Sequence, residues 1–114
     1  MSDVKVVNIK FDMPDSDDAI RRVTYNIRNS KVLGTRAIKF IHGYGSTGAG
    51  GVIRVKTRRY LSEQKRKGYI KDYITGENFS IFDEATRRAL NLCPELRNDP
   101  DLDRHNNGIT IVIL

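Results

Sequence analysis

Tryptophan is absent from the 114 residues, and cysteine occurs once, at Cys93. A lone cysteine closes no internal disulfide, and Cys93 stands in Asn91-Leu92-Cys93-Pro94, far along the chain from either histidine, so it reads as a small buried apolar group rather than a nucleophile. Histidine is nearly as scarce, with His42 and His105 alone, and neither HxxxH nor CxxC spacing occurs; no metal is expected. No window approaches the ~18 uninterrupted apolar residues of a spanning helix, and the start MSDVKVV lacks the apolar stretch of a secretory signal. These absences lead to the expectation of a soluble, cytoplasmic protein with no membrane contact. The missing Gly-Lys-Ser/Thr triplet excludes a Walker phosphate loop.

What is abundant is positive charge, and it is localised. Residues 1–50 carry 8 Lys and Arg against 5 Asp and Glu, residues 51–74 carry 8 against 2, and residues 75–114 carry 4 against 7. The middle segment therefore accounts for a surplus equal to the whole net charge of +6, and a pI near 9.7 clustered in this way points to a polyanionic partner.

The stretch that gives this charge a purpose is AIKFIHGYGSTGAGGVIRVKTRR, from Ala37 to Arg59. A short apolar run, Ala37 to Ile41, reads as a buried strand and ends at His42. Gly43, Gly45, Gly48, Gly50 and Gly51 follow, and a helix bearing Arg54, Lys56, Arg58 and Arg59 is expected to open near Gly51 or Val52. Glycine permits close backbone approach, and a helix N-terminus offers free N–H donors with a partial positive charge, so the combination suits an anion. His42 at the strand's end is a group able to move protons near neutral pH.

The remaining chain reads as a first strand over Val4 to Phe11, a turn at Asp12-Met13-Pro14, and a helix capped at Asp15 or Ser16 running to about Lys31. Gly68 ends the second helix, Tyr69 to Ile74 alternates as a third strand, Ser80 with Asp83 makes a capping-box pattern before a short third helix stopped by Pro94, and Ile109 to Leu114 is an apolar, central strand. The order β-α-β-α-β-(α)-β implies an α/β fold with a mixed four-stranded sheet. Right-handed crossovers make the first three strands parallel, which gathers Asp12 and His42 at their carboxyl ends. An antiparallel last strand brings Asp103, Arg104 and His105 to that same rim.

At Ile41-His42-Gly43-Tyr44-Gly45, followed by the Arg-bearing helix IRVKTRRYL and the closing GITIVIL, the chain resembles the Smr (small MutS-related) domain, whose hallmark is a strand ending in His-Gly-x-Gly. The resemblance implies a two-layer α/β sandwich similar to the C-terminal half of translation initiation factor three, nucleic-acid binding, and in several members endonuclease activity on DNA or RNA, including a part in DNA repair. His42, Gly43 and Gly45 carry over directly. The family's other motif, Leu-Asp-Leu-His-Gly at the end of the first strand, corresponds here to Ile9-Lys10-Phe11-Asp12-Met13. Lys10 replaces the acid and Asp12 the histidine.

The resulting expectation is one domain, 1–114, with an insertion at about 75–107, that binds DNA or RNA. Its phosphate contacts are Gly43, Tyr44, Gly45, Ser46, Thr47, Gly48, Gly50, Gly51, Arg54, Lys56, Arg58 and Arg59, with Arg104 and His105 at the rim. Any cleavage is that of a metal-independent endonuclease with His42 as acid or base and Asp12 as its orienting partner, and no cofactor is expected; an Asp12–Lys10 pair leaves the site inactive. Residues 75–104 are a candidate surface for a protein partner. Two other classes remain open. Gly43 to Gly48 also satisfies GxGxxG, with Asp72 placed 24 residues further on as a ribose-binding acid of a dinucleotide site. The third class is a non-catalytic protein-interaction module.

Overall fold

The computed structural model describes residues 3–12, 14–44 and 49–114, with burial along the second helix described from Gly51 onward. Its elements are β1 (Val4–Asn8), α1 (Ser16–Val32), β2 (Ala37–Ile41), α2 (Ala49–Arg66), β3 (Asp72–Thr75), α3 (Glu84–Leu92) and β4 (Ile109–Ile113), with single 3-10 turns at Gly76–Asn78 and Pro94–Asn98. The sheet order is β1-β2-β4-β3: β1 and β2 are parallel, and β4 runs antiparallel to both of its neighbours. The mixed four-stranded α/β sheet and its central, reversed last strand are as the sequence implies.

Side-chain alternation along β2 and β4 separates two apolar layers. Ile38, Phe40 and Val112 face α1 and α2, where Ala19, Val23, Ile27, Ile53 and Leu61 close the core. Ala37, Ile109, Ile111 and Ile113 face the other way, and Phe79, Leu90, Cys93 and Leu96 cover them. The expected two layers therefore gain a third. Residues 76–107 are the lid of the sheet's second face, and Cys93, fully buried, is part of it. The cover is fitted tightly at Gly76, where an added Cβ would stand 1.7 Å from the Asn106 carbonyl oxygen.

Lys39 is the polar exception on β2. Its ammonium lies beneath the cover, 3.0 Å from Asp99 Oδ1 and paired also with Asp101. Burial opposes its charge, but hydrogen bonds to Asp101 and Asp99 outweigh that and raise its pKa.

Several boundaries differ from the sequence reading for local reasons. β1 stops at Asn8, because Asn8 Oδ1 accepts the Lys10 N–H at 3.0 Å, Arg22 holds the Ile9 and Phe11 carbonyls, and Asp12 adopts φ 63°. β3 begins at Asp72 rather than Tyr69, since Gly68, at φ 80°, and Tyr69 are spent closing α2. Asp15 caps α1, accepting from Asp18 N at 2.8 Å. α3 starts one pattern later than the Ser80 box, with Asp83 itself as the cap accepting from Thr86 N at 2.9 Å.

Candidate nucleic-acid interface

The carboxyl ends of β1 and β2 and the start of α2 meet at one rim, and β4 begins there. The N–H groups of His42 and Gly43 both donate to the Gly108 carbonyl, each at 3.0 Å, which lashes the end of β2 to the Asn106-Asn107-Gly108 turn. Tyr44 leaves this knot with its ring over Gly108, where an added Cβ would lie 3.1 Å from the ring edge, and it is 59% exposed.

His42 is fully buried and both ring nitrogens are engaged. Nδ1 lies 2.9 Å from the Gly43 carbonyl and Nε2 lies 2.8 Å from Thr110 Oγ1. The carbonyl can only accept, so Nδ1–H is the donor there and Nε2 accepts the threonine hydroxyl. Burial, then the positive charges of Arg58 and Arg54, push its pKa down to about 4, against the opposing pull of the Gly43 carbonyl. A neutral ring with no open nitrogen is a brace at neutral pH. Asp12, the expected orienting partner, is exposed in the turn after β1, and the ring of His42 is held instead by the Gly43 carbonyl, which accepts, and the Thr110 hydroxyl, which donates.

The network continues into α2. Thr110 Oγ1 accepts from Arg58 Nε at 3.2 Å, and the two terminal nitrogens of Arg58 grip Glu77 at 2.9 and 2.7 Å while one also reaches the Asn107 and Ile109 carbonyls. Arg58 was expected among the phosphate cations; the structure commits its guanidinium to the protein. Although burial opposes it, the Arg58 hydrogen bonds hold the Glu77 carboxyl below its ordinary range. Glu77 and Thr110 escaped the sequence reading. Thr110 left one signal, a hydroxyl inside the apolar run ITIVIL, whereas nothing local marked Glu77.

Other cations divide similarly. Lys56 leans on α1, its Nζ 2.9 Å from Ser16 Oγ and 3.7 Å from Asp17. Arg54 and Arg59 have no ion-pair or hydrogen-bond partner among the described residues, and with Gly51, Val52, Val55 and Lys56 they line an open depression of about 500 Å³ on the first half of α2. Lys10, expected to compete for Asp12, instead lies over Gly43: a Cβ there would meet Lys10 Cδ at 3.4 Å and Nζ at 3.7 Å. No ion pair joins Lys10 and Asp12 among the described residues. His105 comes to the rim, Nδ1 3.2 Å from the Glu77 carbonyl oxygen, with Arg104 exposed beside it. Gly45, Ser46, Thr47 and Gly48 lie outside the described residues, while Gly50 and Gly51 fall within the first turn of α2.

The crystal structure of the Smr domain of Thermus thermophilus MutS2 superposes on this chain with a TM-score of 0.60, covering 96% of each chain at 18% identity. The chain shares the Smr fold. No family model matches the sequence, and no curated protein matches it. On the Smr fold, Asp72 is poorly placed for a dinucleotide site. It pairs through the sheet with Ile113, level with Ala37 at the start of β2, and so sits about 13 Å down the strands from the carboxyl end of β2; there it binds Lys65 at 3.0 Å. Among the described residues no three His, Cys, Asp or Glu side chains gather as a metal site, and no helix is long and apolar enough to cross a membrane.

Proposed function

We propose that this chain is a nucleic-acid-binding domain whose phosphate-holding surface is the rim at Gly43 and the first half of α2. The observation that carries the reading is the state of its cations: among the described residues Arg54 and Arg59 of α2 have no hydrogen-bond or ion-pair partner, and Lys10 reaches over Gly43 from the turn after β1. Guanidinium groups near the start of a helix, where the macrodipole is positive, suit the oxygen atoms of phosphate. Tyr44, seated on Gly108 yet exposed, offers a ring face to a base. The likeness of fold to an Smr domain, a family that binds nucleic acid, supports the same reading.

Hydrolysis is the weaker half of the family expectation for this chain. A general base needs an accessible nitrogen and a pKa near the working pH, and His42 has neither in this arrangement. The proposal is binding without strong cleavage.

The test is a titration of fluorescent single- and double-stranded DNA and RNA at several salt concentrations, with the same samples run on gels. Affinity should fall steeply with salt, and Arg54→Glu/Arg59→Glu should weaken it at least tenfold for all sequences alike, because phosphate contacts position without reading bases. Unchanged binding by that double variant removes the proposed surface. Cleavage by the unaltered protein that disappears in both His42→Ala and Asp12→Asn overturns the binding-only reading.

A further inference from the structure

The carboxyl-terminal halves of α1 and α2 lie side by side at the rim opposite Gly43 and leave a cleft of about 350 Å³. Thr24 and Tyr60 tie the two helices together there, their hydroxyl oxygens 2.7 Å apart. Arg28, Lys31 and Lys67 stand around the cleft with Tyr69, which is 57% exposed, and no carboxylate lines it. Three cations sharing one recess repel each other, and an anion between them relieves that.

Basic residues at helix ends often serve the terminal carbonyl groups. Lys31 serves a carbonyl here, but that of Tyr69 beyond the end of α2, to which its Nζ donates at 2.7 Å. Elsewhere backbone does the capping. Gly34 and Gly68, at φ 76° and 80°, turn the chain so that the N–H groups of Leu33, Gly34 and Thr35 satisfy α1, and those of Lys67, Gly68 and Tyr69 satisfy α2. Arg28 and Lys67 are left with no hydrogen-bond or ion-pair partner among the described residues.

We infer that this cleft is a second phosphate site for the strand bound at the glycine rim, with Arg28 and Lys67 on a phosphate and the Tyr69 ring beside an adjacent base; the inference rests on the nucleic-acid reading above. The helical rise places Lys67 about 24 Å from Gly51. At 3.4 Å per nucleotide along a strand, a bridging ligand needs about seven nucleotides or more. The favoured ligand is therefore a polymer of that length rather than a mononucleotide.

Anisotropy titrations with labelled strands of three and fourteen nucleotides test this, using the whole chain, Arg28→Glu/Lys67→Glu, and Arg54→Glu/Arg59→Glu, all checked by thermal melting. For the long strand, Arg28→Glu/Lys67→Glu should lose at least tenfold in affinity and show a shallower salt dependence, while its binding of the short strand changes less than twofold. An equal loss for both lengths would assign the effect to the general field of the molecule and overturn the inference. Undiminished long-strand binding by Arg28→Glu/Lys67→Glu, alongside a loss in Arg54→Glu/Arg59→Glu, would remove the cleft and leave the function standing. No loss in either would remove both.

Discussion

Arg58 and Glu77 face each other fork to fork, with two nitrogen–oxygen distances of 2.9 and 2.7 Å, and the same guanidinium reaches Thr110 and the carbonyls at the start of β4. One side chain thereby fastens α2, the turn after β3 and the central strand.

Arg58→Ala should consequently act as a stability mutation. Removing it takes a donor from the Thr110 hydroxyl and from the part-buried Asn107 and Ile109 carbonyls and leaves the exposed Glu77 carboxylate without its partner, at an expected cost of about 2 kcal/mol. Its neighbour Arg59, exposed and without a hydrogen-bond or ion-pair partner among the described residues, should tolerate alanine within about 0.5 kcal/mol. Urea unfolding of the two variants measures the contrast; equal midpoints would show that the Arg58 network carries no stability.

His42 makes stability depend on pH in a defined direction. Its folded pKa, about 4, lies below the ordinary 6.5, so the unfolded chain binds more protons between these values. The contribution is fully present above about pH 6.5 and is lost as pH falls towards 4, amounting to roughly 3 kcal/mol. Comparing unfolding at pH 7 and pH 4.5 in the native protein and in His42→Gln checks it. The native protein should lose more stability over this interval than the variant, and parallel losses would refute the assignment.

Lys39→Met should be destabilising, by about 2–4 kcal/mol, because the partly buried carboxylates of Asp99 and Asp101 would remain side by side without their cation. Adding Asp99→Asn and Asp101→Asn to that variant should recover part of the loss. Thermal melts of the single and triple variants decide it, and a triple variant less stable than the single one would contradict the account.

These cases also mark what the sequence could reveal. Strands and helices were legible wherever periodicity extended over several residues, as in Ala37 to Ile41, Ile109 to Ile113, and the stripe Ala19, Val23, Ile27 of α1. Boundaries slipped where a single conformational device intervened, such as the positive φ of Asp12 and Gly68. Charge was legible as density and illegible as pairing. The basic run around Arg58 is visible in any composition count, but its neutralisation by Glu77 depends on a fold that returns 19 residues later. Lys39 meets Asp99 across 60 residues. The rim was legible for the same reason the strands were: parallel crossovers force the carboxyl ends of β1 and β2 to one side. Which of its side chains are free was decided by packing.

Placing β4 between β2 and β3 has a kinetic meaning. Its ladder with β2 joins positions about seventy residues apart, and β3 touches the sheet through β4 alone. Until that strand docks, no ladder joins the β1–β2 pair to β3, and closing so long a loop carries its entropy cost before any of the ladder is gained. Assembly of the sheet is accordingly expected to be a late, all-or-none event, so that trimming a few residues from β4 divides the molecule instead of merely fraying it.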